Sequence, residues 1–234
     1  AMVSLHHVLK TWGKLVDFYI SATSFYRDLY TQGGLPADKI VIKPNYIANA
    51  PAYKQETEKG SYALFVARLD PEKGVKTLLK AWRSLDVPLK IRGSGQMEAE
   101  MRAYIREHQI EQVEFLPRLN ENEFVELRQK ARFFVWTSEG YYETFGLAAV
   151  EAFAQGLPVI ASNIGVSAEI VKDGDTGLLF NAGDSKDLAE KVRWLWEHPE
   201  ETKRMGENAR REYEEKYTPE KNYQRLLDIY DGFL

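Results

Sequence analysis

Short apolar runs alternate with amphipathic stretches along most of the chain. Six runs are apolar over most of their length, as expected for strands covered on both faces: 62–67, 88–92, 113–116, 133–137, 158–162 and 177–180. Between and after them, apolar residues recur with helical spacing at 75–85, 97–108, 121–131, 146–155 and 186–198. Strands and helices that alternate in this way predict an α/β fold, a doubly wound parallel sheet of six strands.

The two ends of the chain fall outside this alternation. We interpret residues 1–46 as the end of a preceding domain together with an interdomain linker. The polar segment 48–60 marks the boundary, so that the main domain spans 47–216. Residues 217–234 are then a C-terminal helix that packs back across the domain junction.

Within these ends, strands are predicted at 18–22 and 40–43, and helices at 199–213 and 219–234. The two C-terminal helices carry large side chains that we expect to pack against another part of the protein, across the domain junction: Tyr213, Tyr217, Tyr223, Leu227 and Tyr230. The amphipathic stretch around His6 and His7 fits packing on another domain or, less well, a membrane surface.

Composition and charge exclude several classes of protein. The net charge of -4 argues against a nucleic-acid partner held by electrostatics. There is no cysteine, hence no disulfide framework and no thiolate zinc site, which suits a reducing cytoplasm. The histidines form no ligand-like cluster, and no apolar run reaches the roughly 18 residues that span a bilayer. We therefore expect no metal and no membrane span.

Two glutamates frame a strand-to-helix junction. Glu143 and Glu151 are separated by seven residues that include Phe145-Gly146-Leu147. Gly146 lets the backbone turn closely, and the free amides of a helix's first turn can hold an anion. This pattern predicts a sugar-phosphate site. The alternative is structural, with Glu143 capping the helix and Glu151 solvated.

Two cations follow the first strand of the main domain. Arg68 lies at its end, and Lys73-Gly74 begins the next helix, at the edge where open parallel sheets bind ligands. An arginine fork and a lysine point charge would neutralise a diphosphate. The alternative is a plain turn, in which the segment Asp70-Pro71-Glu72 stabilises the helix start and Lys73 is solvated.

Three further segments carry weaker signals. Gly93 and Gly95 follow the second strand, where we interpret them as allowing close approach of a ligand, although a strand-to-helix turn explains them nearly as well. Leu116 and Arg118 follow the third strand around Pro117. The segment Asp173-Gly174-Asp175 has the form of a metal-binding D-x-D, but it precedes a strand in a context that favours a turn.

Taken together, these motifs resemble the family 4 retaining glycosyltransferases over about residues 14–234. The resemblance implies the C-terminal, Rossmann-like half of a GT-B glycosyltransferase of the hexosyltransferase type, which needs no metal or other cofactor. It assigns Arg68 and Lys73 to the diphosphate, Glu143 to the donor sugar and Glu151 to the ribose. Other residues it assigns to the donor and nucleotide site are Gly93, Gly95, Leu116, Arg118, Phe145, Gly146 and Leu147.

The resemblance also implies partners and a location. The donor is a nucleotide-diphosphate sugar, a UDP-sugar or a GDP-sugar, and the acceptor is a glycan or glycolipid bound by an N-terminal domain. The family serves polysaccharide biosynthesis, which places the protein in the cytoplasm and leaves room for peripheral contact with the inner face of the cell membrane. Because residues 1–46 hold only the end of such a domain, we expect nucleotide binding and little or no transfer.

Three other functions fit parts of the pattern. A nucleotide-sugar epimerase shares the two-domain architecture, and a non-catalytic nucleotide-sugar-binding module would keep the pocket without turnover. A dinucleotide-dependent dehydrogenase has a similar fold. However, Glu98 stands where the third glycine of its G-x-G-x-x-G fingerprint would fall.

Overall fold

A computed structural model describes residues 11–51, 60–140 and 143–232. Its strands are β1 (Tyr19–Ser21), β2 (Ile40–Ile42), β3 (Ala63–Val66), β4 (Leu89–Arg92), β5 (Val113–Phe115), β6 (Phe133–Trp136), β7 (Val159–Ser162) and β8 (Gly177–Phe180). Its α-helices are α1 (Thr11–Leu15), α2 (Ser24–Gln32), α3 (Val75–Trp82), α4 (Glu98–Glu107), α5 (Glu121–Gln129), α6 (Leu147–Ala154), α7 (Gly165–Ile170), α8 (Ser185–Glu197), α9 (Pro199–Lys216) and α10 (Pro219–Asp231).

The main sheet has six parallel strands in the order β5-β4-β3-β6-β7-β8. Phe65 in β3 pairs with Ile91 of β4 on one side and with Val135 of β6 on the other. The strand order reverses between β3 and β6, so the loops that follow these two strands leave the sheet in opposite directions and open a crevice between them. The predicted doubly wound parallel sheet is confirmed.

Helices cover both faces of this sheet, and its central strands β3 and β6 are wholly apolar, whereas β4 and the edge strand β5 include Lys90, Arg92 and Glu114. One face packs against α3, α4 and α8, with Trp82, Leu78 and Leu195 fully buried. The other face packs against α5, α6 and α9, with Phe153 and Tyr213 in its core. The sheet is therefore a rigid support for the loops at its edge.

The differences from the sequence-based elements have local causes. Helix α7 was not predicted, because its six residues include Gly165 and Ser167 and give no helical period. Of the C-terminal tyrosines, Tyr213 and Tyr217 are buried, and Tyr230, although 52% exposed, packs edge-on against Phe18 with ring centroids 6.2 Å apart. Tyr223 is 63% exposed. Helix α10 instead turns Asn222 and Ile229 inward.

The segment before β3 packs on the main sheet's helices. Strands β1 and β2 form a two-stranded parallel sheet. The Glu169 carboxylate of α7 accepts the backbone amides of Ser24 and Phe25, each at 2.8 Å, and so caps the start of α2. Lys43 donates to the Asn222 side chain of α10 at 2.9 Å. The divisions at residues 46 and 216 stay predictions, and the stretch around His6 and His7 lies outside the described residues.

Across the described ranges, the helices are too short or too polar to cross a membrane.

Candidate functional site

A cleft opens where the loops after β3 and β6 meet, at the carboxyl ends of the two strands that flank the reversal. It encloses about 180 Å³, and its lining includes Arg68, Lys73, Glu143, Gly146 and Ala148. Small-molecule sites usually enclose about 300–1,000 Å³. The cleft is therefore large enough to enclose part of a ligand, and the rest of the ligand would extend out of its open side.

The centre of the cleft is an ion pair between the two predicted loops. Lys73 Nζ lies 2.6 Å from Glu143 Oε2, and the two side chains are partly buried, 16% and 24% exposed. Ser138 donates to the same carboxylate oxygen at 3.4 Å and itself accepts the Trp136 indole N–H at 3.0 Å. Ser138 is a site residue that the sequence does not reveal, since a serine after a buried strand has no distinctive pattern.

Backbone contacts fasten the Lys73 loop to the end of β6. The Thr137 hydroxyl donates to the Lys73 carbonyl at 2.7 Å, and the Glu139 amide donates to the Glu72 carbonyl at 2.9 Å. Gly74 has φ +66°, and a Cβ there would lie 1.8 Å from the Thr137 carbonyl oxygen. Only glycine fits this position, so the lysine is presented on a fixed backbone.

Helix α6 begins at Gly146 with its first turn against the cleft. Gly146 has φ +84°, and a Cβ there would lie 2.2 Å from the Trp136 ring. The first bonds of the helix run from the Ala149 and Val150 amides to the Gly146 carbonyl. The amides of Leu147 and Ala148 precede them and have no intrahelical acceptor, as at every helix start. These donors and the helix dipole favour an anion at this end of the cleft.

Arg68 faces the cleft and also forms ion pairs within its own loop. It lines the cleft and is 71% exposed. Its guanidinium also pairs with Asp70 at 2.8 Å and with Glu72 at 3.3 Å, within the turn Pro71–Lys73. A ligand phosphate would therefore have to share this arginine with two carboxylates of its own loop.

Glu151 lies in the second turn of α6, paired with Arg128 of α5. The distance from Arg128 Nη2 to Glu151 Oε2 is 3.1 Å, so the predicted solvated alternative for Glu151 is wrong. Burial raises the pKa of Glu151, and the Arg128 charge acts against that rise. The role of Arg128 is not visible in the sequence, because Arg128 is distant along the chain from the glutamate that it contacts.

The remaining predicted residues are not among those that line the cleft. Cβ atoms at Gly93 and Gly95 would lie 1.9 Å from the Ala67 carbonyl oxygen and 2.5 Å from that of Leu69. The packing of this chain's own backbone therefore requires both glycines, a different reason from the predicted close approach of a ligand.

Phe145 is 2% exposed and packs edge-on against Tyr217 at 5.8 Å, so its side chain supports the loop from the core. Leu147 is 48% exposed. Leu116 and Arg118 follow the edge strand β5, two strands away from β3, with Arg118 exposed.

Residues 48–212 match the family model described as glycosyl transferases group 1. The chain belongs to this family.

Curated relatives are identical to the chain at about a third of the aligned residues. D-rhamnosyltransferase WbpZ of Pseudomonas aeruginosa is 33% identical over 158 residues, which are 67% of this chain and 42% of that protein. O-antigen chain mannosyltransferase C of Escherichia coli is 30% identical over 184 residues, 78% of this chain and 50% of that protein. The chain thus spans about half the length of the curated relatives it matches.

Solved structures match the whole described fold. Anabaena HepE, in a structure described as a complex with UDP, has a TM-score of 0.87 at 20% identity and covers 99% of this chain and 68% of that one. Sucrose-phosphate synthase from Thermosynechococcus elongatus has a TM-score of 0.82 at 22% identity, and the match covers 100% of this chain and 62% of that one. These likenesses establish the predicted fold, that of one half of a GT-B glycosyltransferase.

The D-x-D segment of this glycosyltransferase chain forms a turn. Asp173 accepts the Leu179 amide at 2.8 Å, and Asp175 accepts the Asn208 side-chain amide at 2.5 Å. Both carboxylates thus accept hydrogen bonds from the protein, Asp173 from the strand that follows and Asp175 from α9. In the described ranges, the histidine and acidic side chains form no group of three or more that could hold a metal ion.

Proposed function

We propose that this chain binds the nucleotide-diphosphate sugar donor of a retaining glycosyltransferase. The observation that carries the proposal is the Lys73–Glu143 pair, 2.6 Å apart beside the start of α6, at the point where the strand order reverses. A cation, a carboxylate and free helix amides converge there from two loops. A sugar diphosphate presents phosphate oxygens and hydroxyl groups that match these three kinds of group.

In this proposal the diphosphate lies between Lys73, Arg68 and the first turn of α6. Lys73 exchanges its bond to Glu143 for one to a phosphate oxygen, and Arg68 adds its fork from the exposed side. Both charges and the helix amides stabilise the negative charge that grows on the diphosphate as it departs. The proposed reaction accordingly takes this electrostatic assistance from the chain's own groups and needs no metal.

The two glutamates then bind the two polar ends of the donor. Glu143, released from Lys73, accepts hydrogen bonds from hydroxyls of the donor sugar. Glu151, farther along α6, accepts them from the ribose. Glu143 lies in the loop before α6 and Glu151 in the second turn of that helix, so the two carboxylates can meet the sugar and the ribose on either side of a diphosphate.

The reaction that fits this arrangement breaks the bond between the sugar anomeric carbon and the diphosphate oxygen. An acceptor oxygen bonds to the same carbon on the same face, and its proton passes to the departing phosphate. For the whole protein we propose a glycan or glycolipid as the acceptor, in polysaccharide biosynthesis, with peripheral membrane contact as part of that proposal. The relatives named as rhamnosyl- and mannosyltransferases make a hexose or deoxyhexose the proposed sugar.

The test is calorimetric titration of the chain with UDP, GDP and ADP, with Lys73→Met as the variant. Loss of a charged hydrogen bond of about 1.5–3 kcal/mol predicts roughly ten- to a hundredfold weaker binding. Lys76→Met is the matched control, because Lys76 lies one turn away, pairs with Glu100 and is 60% exposed. Failure of all three nucleotides to bind, or equal loss in both variants, would contradict the proposal.

A further inference from the structure

Two arginines, one aromatic ring and one glutamate meet where β4, α5 and α6 come together. The Arg128 guanidinium carbon lies 3.9 Å from the centre of the Phe124 ring, and the Arg92 guanidinium carbon lies 4.1 Å from it. Arg128 also reaches Glu151 of α6 at 3.1 Å. Arg128 therefore forms an ion pair with Glu151 and a cation–π contact with the Phe124 ring.

This cluster is a costly way to fill the interior. The Arg128 side chain is only 7% exposed, among apolar neighbours such as Phe124 and Leu127. Buried ion pairs are often no more stabilising than apolar residues of the same volume. The two cations face one paired carboxylate, and Arg92 Nε is buried with no hydrogen-bond partner in the described part of the chain. Stability alone does not explain this choice of residues.

Arg128 changes what Glu151 can do. Burial raises the pKa of Glu151, and the nearby charge of Glu121 raises it further. The positive charges of Arg128 and, more weakly, Arg92 lower it. Arg128 is also the group that fixes the position of Glu151 Oε2. The Glu151 side chain remains 32% exposed, so a ligand can still reach the carboxylate.

We propose that Arg128 is a positioning residue, which holds the Glu151 carboxylate in place for the ribose of the nucleotide. The inference rests on the proposed donor site and adds a residue to it. Arg128 does not touch the nucleotide in this account. It acts by keeping the carboxylate oriented and ionised before the ligand arrives, which lowers the cost of ordering it on binding.

The experiment measures the dissociation constants of GDP, UDP and pyrophosphate for the intact chain and for R128Q, R128K, E151Q and the R128Q/E151Q double variant. R128Q should weaken binding of the preferred nucleotide by about tenfold. R128K should recover part of the loss, because a lysine keeps the charge without the planar fork. The double variant should bind no more weakly than the weaker single variant, because the two residues act as one unit. Pyrophosphate, which has no ribose, should bind equally well to all of them.

The pH profile separates positioning from mere support of the fold. The ionised Glu151 accepts the ribose hydroxyls, so nucleotide affinity falls as pH drops through the pKa of Glu151. Without Arg128 that pKa rises further, and the fall begins at a higher pH in R128Q than in the unmodified chain. The titrations therefore run from about pH 5 to about pH 8.

R132Q is the matched control. Arg132 stacks on Trp196 at 4.6 Å and donates to the Trp196 carbonyl at 2.6 Å, away from the cleft. Its loss should lower the melting temperature and leave both affinity and pH profile unchanged. Unchanged affinity and pH profile in R128Q, or an equal loss in R132Q, would overturn the positioning role. If nucleotides bind no better than pyrophosphate, the positioning role is contradicted but the proposed diphosphate site is not. If neither nucleotides nor pyrophosphate bind, both proposals are contradicted.

Discussion

Lys73 and Glu143 bind each other in the free chain, although the proposed donor needs each of them for a different part. The 2.6 Å contact is partly buried and is strengthened by Ser138. Any diphosphate that takes Lys73 must first break this pair. Breaking the pair costs free energy, which weakens nucleotide binding. Substitution of Glu143 removes this cost.

Glu143→Gln tests this competition at a single residue. A neutral side chain of the same shape leaves Lys73 free, so UDP or GDP should bind more tightly to the variant. A partly exposed pair is worth up to about 1 kcal/mol, which predicts roughly two- to fivefold tighter binding by calorimetry. A nucleotide sugar should gain less than the free nucleotide, because the variant lacks the carboxylate proposed to bind the sugar. Weaker nucleotide binding in Glu143→Gln would refute the competition.

Gly146→Ala tests the start of α6. Gly146 combines φ +84° with a Cβ position 2.2 Å from the Trp136 ring, so alanine should cost about 3 kcal/mol or more in the free energy of unfolding. Gly174→Ala is the control, because Gly174 has φ +74° and nothing within 4 Å of its Cβ position. It should cost only about 1 kcal/mol. Equal losses in urea denaturation would mean that Trp136 does not limit this turn.

The sequence identifies some site residues better than others for a physical reason. The spacing of Glu143 and Glu151 within one strand-loop-helix unit is visible along the chain, and so are Arg68 and Lys73. The Glu151–Arg128 contact depends on how α5 lies against α6, and the Lys73–Glu143 contact depends on the order of the strands. Neither the packing of α5 on α6 nor the order of the strands can be predicted from the spacing of residues along the chain.

At the scale of elements, the β3–α3 and β6–α6 units form the two walls of the cleft and are built alike. Both helices start at a glycine with positive φ, Gly74 and Gly146. Thr137 joins the units through its 2.7 Å bond to the Lys73 carbonyl. The distance between the two walls is therefore set by the backbone.

Thr137→Val tests this link between the two units. The variant has the same shape but leaves the Lys73 carbonyl without this donor, at a cost of about 1–3 kcal/mol in stability. It should also weaken nucleotide binding several-fold, since Lys73 would be less firmly placed. Thr202→Val is the control, because the buried Thr202 hydroxyl donates to the Leu195 carbonyl at 2.7 Å, between α8 and α9. Thr202→Val should lower stability without changing affinity. Similar effects on affinity in both variants would contradict the link.

Element prediction succeeds here where a regular period exists and fails where contacts replace it. The six strands and the long helices follow apolar spacing and lie where predicted to within a few residues. The short helix α7 is fixed instead by the Ser167 hydroxyl, which lies 2.7 Å from both the Ser162 and Ile164 carbonyls and can donate to either. Such side-chain bonds leave no period in the sequence.

At the scale of the whole molecule, α9 is joined by an ion pair to the segment that leads into the edge strand β8. Glu212 is 6% exposed and lies 2.7 Å from both Lys172 and Lys216. Burial alone would raise the pKa of Glu212, but the two lysines outweigh it and hold the pKa below its ordinary value. The pair with Lys172 connects α9 to the segment between α7 and β8.

Glu212→Gln predicts a pH-dependent change in stability. A carboxyl with a lowered pKa in the folded state stabilises the fold above its unfolded pKa and loses that contribution as pH falls through the folded value. The variant should therefore be about 1–2 kcal/mol less stable at neutral pH. Between roughly pH 4.5 and pH 3 the difference should shrink. Urea denaturation at both ends of this range measures it, and a constant difference would show that the lysines do not control Glu212.

The most direct test of the account is a crystal structure of the chain with the nucleoside diphosphate that binds best. We predict the diphosphate between Lys73 and the first turn of α6, the ribose at Glu151, and Glu143 separated from Lys73. A nucleotide bound elsewhere, or bound here with the Lys73–Glu143 pair still intact, would contradict the proposed site.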